Sequence, residues 1–236
     1  MQPIEALGNF LTQTPEMLSQ VHRWGNSPSV PRHERESVLK HTFRAVALTA
    51  AMVAIEEEQG DLPQKLDGER LLLAALLHDI GEGRTGDILY AVKQDGRVKH
   101  MLNEIEREQA MSLLKDLPLS VRDKYESAYR LESEDSIEGR FFNAVERMGY
   151  IYYSIEQYRD RGRKDFIETF QMQHEKILVL EEEFVSLKVL YGEFKEYIEN
   201  KIGPKKALTK CDHPSVDGHK IWTEKLYEEL VDRKVL

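Results

Sequence analysis

A chain of 236 residues that is 41% hydrophobic and 32% charged can build a core, which excludes a disordered polymer. Its 33 Lys and Arg against 42 Asp and Glu give a formal charge of −9, and a non-specific grip on nucleic acid needs the opposite sign. The single cysteine, Cys211, excludes an internal disulfide and fits a reducing compartment. The N-terminus meets Glu5 before any apolar run and has no basic segment, unlike a signal peptide. The longest uncharged apolar stretch, Ala45 to Ile55, is too short to span a bilayer. These features predict a soluble, cytoplasmic protein with neither membrane nor nucleic acid as partner.

Apolar residues recur at helical spacing from the start of the chain. A first helix is expected over Ile4–Val21, then a loop at Gly25–Pro31 (GNSPSVP). Val38, His41, Ala45, Leu48, Met52 and Ile55 mark one face of a second helix. A loop at Gly60–Gly68 leads into Asp67–Asp79, with Asp67 as N-cap and an apolar run from Leu71 to Leu77. Apolarity on all sides predicts a central, buried helix there. After a glycine-rich loop at Gly81–Gly86, helical periods cover Met101–Leu114, Ser120–Leu131, Ile137–Tyr158 and Phe166–Ile202. Ser120 and Asp123 take the form of a capping box after Pro118, and Asp160–Gly162 forms a turn in a basic run. The prediction is an all-α bundle over 1–203, with a C-terminal extension, 204–236, that begins at Gly203-Pro204 and holds an amphipathic stretch at Ile221–Val231.

His78 and Asp79 end the most apolar helix, where two ionisable side chains need partners. One reading is a buried histidine paired with its neighbour. The other is a metal site: a helix end lets adjacent His and Asp converge, and His41 lies on the inward face of the preceding helix. Glu82 follows His78 at i+4, on the same side if the helix continues. Two imidazoles with carboxylates suit a first-row divalent ion.

The string His78-Asp79-Ile80-Gly81-Glu82-Gly83-Arg84-Thr85-Gly86-Asp87 resembles the HD-domain phosphohydrolases, in particular the 5′-deoxynucleotidases and their eukaryotic relatives, which carry H-D-x-x-E-x-x-x-G-D. Upstream, Glu36-Ser37-Val38-Leu39-Lys40-His41 is similar to the element that supplies their first histidine. Downstream, Glu138-Gly139-Arg140-Phe141-Phe142 with Ala144-Val145-Glu146 is similar to the helix that supplies their last ligand. Gly162-Arg163-Lys164-Asp165-Phe166 has a counterpart in the eukaryotic branch. The resemblance implies a divalent cation (Mn, Co, Mg, Zn or Fe) held by His41, His78, Asp79 and Glu146. It implies that Glu82 and Asp87 act on the attacking water or leaving group, that Arg23 binds phosphate, and that Trp24 stacks on a deoxyribose. It further implies a nucleotide substrate and a homodimer.

Three positions depart from the family pattern. Glu146 stands where the family has Asp, so its helix must sit slightly farther from the ion. Lys40 replaces an acid before the first histidine, which would loosen His41 if that acid supports the imidazole. The segment between Trp24 and His41 is also longer than in the bacterial enzymes, so an ordinary core anchor is the other reading of Trp24. The expected activity is phosphate release from a deoxynucleoside 5′-monophosphate. The alternatives are another nucleotide, such as a deoxynucleoside triphosphate, or a degenerate HD protein that binds nucleotide or a protein partner without turnover. Cys211, His213 and His219 read as a solvated loop, Arg159–Lys164 as a solvated turn, Tyr150, Tyr152, Tyr153 and Tyr158 as core filler, and His100 and His174 as surface residues.

Overall fold

The computed structural model describes residues 3–201 apart from Asn26 and Gln94. The boundary at 203/204, the Ile221–Val231 stretch and the Cys211, His213 and His219 cluster lie outside the described residues. The chain is all-α: α1 (Pro3–Gln20), α2 (Val38–Gln59), α3 (Gly68–Leu77), α4 (Glu82–Thr85), α5 (Tyr90–Lys93), α6 (Lys99–Leu114), α7 (Leu119–Tyr129), α8 (Ile137–Ile155), α9 (Phe166–Leu180) and α10 (Val185–Lys201). Among the described residues there is no sheet; one antiparallel bridge joins His22 and Ser37.

The central helix is α8. Phe141, Phe142, Val145, Met148 and Ile151 on it are fully buried, and it packs against α2, α3, α9 and α10. This corrects the expectation for α3, which lies beside α2 and α7 and leaves Leu72 and Leu76 37% and 42% exposed. The N-caps read from the sequence are present where Ser37 accepts from the Lys40 N–H and Asp67 from the Arg70 N–H. Ser120 is not a cap. Helix α7 starts directly after Pro118, which places Ser120 inside the first turn.

By length and composition α2 would pass for a membrane span, yet it packs against α1, α3, α8 and α10. Its inward face ends on Glu56, which is buried, rather than on half-buried Ile55. Glu56 Oε1 accepts from the Ser186 N–H at 2.8 Å and so caps α10 from another helix.

The single period expected over Phe166–Ile202 is two helices, broken between Leu180 and Val185. Tertiary contacts make the break: Phe184 is buried edge-on against Phe141, and Glu183 holds Arg140 at 2.7 Å. His174, expected at the surface, is 1% exposed and bonded to the Tyr191 hydroxyl between these helices. His100 is exposed as expected. The basic turn is only partly solvated, because Arg161 and Arg163 both hold Glu34 at 2.6 Å. A π turn at Glu156–Asp160 precedes it.

Candidate active site

Helix α3 ends at Leu77, and His78 to Gly81 form a turn that lets consecutive side chains point into one place. The sharp α3–α4 corner lies against α6: a Cβ on Gly81 would stand 2.5 Å from the Glu106 carbonyl oxygen. The His78 ring is oriented by its Nδ1–H, which donates to the Ala75 carbonyl at 3.0 Å and leaves Nε2 facing the site. His41, from the second turn of α2, faces it with 3.1 Å between the two Nε2 atoms.

Glu146 enters from α8. Its Oε2 lies 3.4 Å from His41 Nε2, and its Oε1 lies 3.5 Å from His78 Nε2. Asp79 Oδ2 lies 3.5 Å from His41 Nε2 and 3.2 Å from His78 Nε2. Atoms held at about 2.0–2.2 Å from one ion stand roughly 3–3.5 Å apart, the spacing found here. The buried Glu146 Oε1 has no hydrogen-bond partner. Two imidazoles and the Glu146 carboxylate, with its orphaned oxygen, fit a divalent cation, and Asp79 lies beside both imidazoles. The buried His41, His78 and Glu146 form such a site on their own, with ligand atoms all within 4.8 Å.

Charge in this cluster is finely shared. Burial opposes a charged His78, but the Asp79 and Glu146 carboxylates push its pKa up to about 10. Burial also opposes ionisation of Glu146 and Asp79. The histidines nevertheless hold Glu146 down at about 2, and His78 and Arg23 hold Asp79 well below the usual carboxylate range.

The segment before α2 is pinned to it by the His22–Ser37 bridge, with Arg23 N–H donating to the Glu36 carbonyl at 2.8 Å. That turns Arg23 inward. Its Nη1 donates to Asp79 Oδ2 at 2.7 Å and its Nη2 to the Tyr150 hydroxyl at 3.0 Å. Trp24 has φ +66°, a conformation L-residues rarely adopt. Its ring stacks on Tyr153 (4.8 Å, 11°) and meets Tyr150 edge-on at 5.9 Å. The indole N–H donates to Glu36 Oε2 at 3.4 Å, and Arg44 holds the other oxygen of that buried acid. Lys40 is exposed.

Glu82 opens α4 and is buried, with Oε1 accepting from Lys93 Nζ at 2.8 Å and Oε2 unpartnered. Burial, with help from Asp79, pushes its pKa up to about 7 against the pull of Arg23 and Lys93. Lys93 also reaches Glu106 at 3.1 Å. Asp87 follows Gly86, whose φ of +77° turns the chain. It is half-buried, and burial raises its pKa while Arg23 and Lys93 oppose the shift.

The structure thus brings Arg23, His41, His78, Asp79 and Glu146 together, with Glu82 and Asp87 on the α4 side and Trp24 behind Arg23. Sequence reasoning missed Tyr150, whose position at i+4 from Glu146 was the available signal, and Lys93 and Glu106, for which the sequence offers none.

Buried histidines at the end of an HD helix, with carboxylates around them in an all-α bundle, define an HD-domain metal-dependent phosphohydrolase. Residues 9–197 match the family described as 5′-deoxynucleotidase YfbR-like, and the chain belongs to that family. It is 30% identical over 189 residues to the 4′-phosphooxetanocin A phosphatase of Priestia megaterium, covering 78% of this chain and 92% of that one. It is 28% identical over 109 residues to a 5′-deoxynucleotidase of Erwinia tasmaniensis, covering 46% of this chain and 52% of that one. The fold is similar to an HD-domain phosphohydrolase from Listeria innocua, with TM-score 0.66 and 17% identity over 94% of this chain and 99% of that one. It is also similar to the PH0347 protein of Pyrococcus horikoshii, with TM-score 0.58 and 20% identity over 80% and 96%.

Proposed function

We propose that this chain hydrolyses deoxynucleoside 5′-monophosphates to deoxynucleoside and inorganic phosphate. The observation that carries the reading is Arg23: a buried guanidinium stands 2.7 Å from Asp79, so a planar fork for phosphate adjoins a set of metal ligands. A divalent cation at His41, His78, Asp79 and Glu146 would activate water and polarise the phosphate oxygens.

The chain's own groups divide the remaining work. Glu82, poised near neutrality, takes the proton of the attacking water. The water oxygen bonds to phosphorus, the P–O5′ bond breaks, and Asp87, whose pKa burial raises, delivers a proton to the departing 5′ oxygen. Arg23 holds the phosphate, and Trp24 walls the side on which a 2′-hydroxyl would fit poorly. The inward-facing oxygens of Glu146 support a working centre over a degenerate one. We place residues 1–203 in the catalytic domain and the protein in the cytoplasm.

Phosphate release from deoxy- and ribonucleoside 5′-monophosphates, deoxynucleoside triphosphates and 4′-phosphooxetanocin A, each with Mn²⁺, Co²⁺ and Mg²⁺, tests the reading. Deoxynucleoside 5′-monophosphates should lead. A preference for triphosphates, or no release with any metal, would overturn it.

A further inference from the structure

Tyr150 stands one helical turn beyond Glu146 on α8, so a single helix carries a metal ligand and the residue that meets Arg23. The Arg23 fork is fixed at two points, Nη1 on Asp79 Oδ2 at 2.7 Å and Nη2 on the Tyr150 oxygen at 3.0 Å. A planar guanidinium held through two different nitrogens cannot swing in its plane, which leaves its remaining N–H groups aimed in one direction. The phenol ring is itself braced, edge-on to Trp24 at 5.9 Å and beneath the Arg147 guanidinium at 6.0 Å. A hydroxyl that accepts from arginine still has its own proton to give, and among the described residues that proton has no acceptor.

We propose that Tyr150 is a positioning residue of the phosphate subsite: its oxygen locks the Arg23 fork, and its O–H is offered to an oxygen of the phosphate that Arg23 binds. This rests on the nucleotidase reading above. Arg147 on the same helix does not duplicate the role, because it is engaged by Asn143 at 2.9 Å and Gln173 at 3.2 Å.

The test uses Tyr150→Phe in the Mn²⁺-loaded protein, since phenylalanine keeps the ring contacts and removes only the hydroxyl. Calorimetry with inorganic phosphate should show affinity weakened roughly tenfold, the scale of one hydrogen bond to a charged group. KM for a deoxynucleoside 5′-monophosphate should rise by a similar factor while kcat changes less, and Mn²⁺ affinity should match wild type. Wild-type phosphate affinity in Tyr150→Phe would overturn the proposal. So would a joint fall in kcat, Mn²⁺ affinity and thermal stability, which marks a residue acting through the fold. Arg23→Ala separates the two levels. If it weakens phosphate binding and Tyr150→Phe does not, only the Tyr150 role falls; if neither does, the functional reading falls with it.

Discussion

One carboxylate oxygen of Asp79 joins Arg23 to the histidine pair: the Oδ2 that takes Arg23 Nη1 at 2.7 Å also faces His78 and His41. In the proposed centre Asp79 therefore serves two positive partners, Arg23 and the cation. Asp79→Asn should reduce Mn²⁺ affinity by more than about 100-fold, since the ligand charge is gone. It should also cost about 1–3 kcal/mol of stability, because a nearly buried guanidinium loses its counter-ion. Adding Arg23→Gln should recover part of that stability and none of the metal binding. Thermal unfolding and calorimetry of both single variants and the double variant check this. Simple additivity of the stability losses would show that the ion pair is not what Asp79 contributes to folding.

Glu146 has both oxygens turned to the histidines, so its length already suits the site. Glu146→Asp withdraws the carboxylate by about 1.5 Å, roughly one C–C bond. Metal affinity should then drop about tenfold, and Glu146→Ala should drop it further. Equal affinities in all three proteins would remove Glu146 from the ligand set.

The pH dependence of stability should carry the signature of Glu82. Its pKa rises on folding from the ordinary 4.5 to about 7, through burial first and Asp79 second. The native state therefore holds a proton that the unfolded chain has released. The associated stability is complete below about 4.5 and is lost as pH climbs through about 7. Glu82→Gln cannot titrate. In chelator-treated protein, the stability of Glu82→Gln relative to wild type should rise from about pH 5 to about pH 8, by about 3 kcal/mol at most. A difference that stays flat with pH would place the Glu82 pKa near its ordinary value.

In the proposed function Trp24 sets the sugar preference. One face of its indole is taken by Tyr153, which fixes the ring in place. Deoxyribonucleotides should be cleaved about 10–200-fold better than ribonucleotides, the range available to a pocket that simply lacks room for a hydroxyl. Trp24→Ala should narrow that ratio of kcat/KM values. An unchanged ratio would assign the indole to the aromatic cluster alone.

Gly81→Ala tests the contact between the HD turn and α6. The new methyl would meet the Glu106 carbonyl at 2.5 Å, so the backbones must separate. A loss on the order of 1–3 kcal/mol is expected in thermal denaturation, with lower activity as the Lys93 bridge from Glu106 to Glu82 loosens. Mn²⁺ affinity should hold, because His78 and Asp79 precede the displaced segment.

Much of the site was legible because its residues announce themselves locally. His78-Asp79 stand at the end of an apolar run, and Ser37 and Asp67 cap helices through contacts three residues away. What escaped depends on partners distant in sequence. The break between α9 and α10 contains neither glycine nor proline and is made by Phe141 and Arg140. His174 looks solvent-facing until α10 brings Tyr191 over it. Lys40, which stands where the family has an acid, is exposed. Tyr150 looked like filler because a tyrosine's hydroxyl partner cannot be read from spacing.

The cap that Glu56 provides for α10 bears on how small a working fragment could be. Truncation before Val185 would remove the Ser186 N–H from Glu56 and uncover a carboxylate whose other oxygen already lacks a protein partner. That carboxylate belongs to the helix that carries His41. Cutting at the α9–α10 break would therefore strip packing and a hydrogen bond from the scaffold of the site itself, and a fragment that keeps that scaffold covered extends into α10.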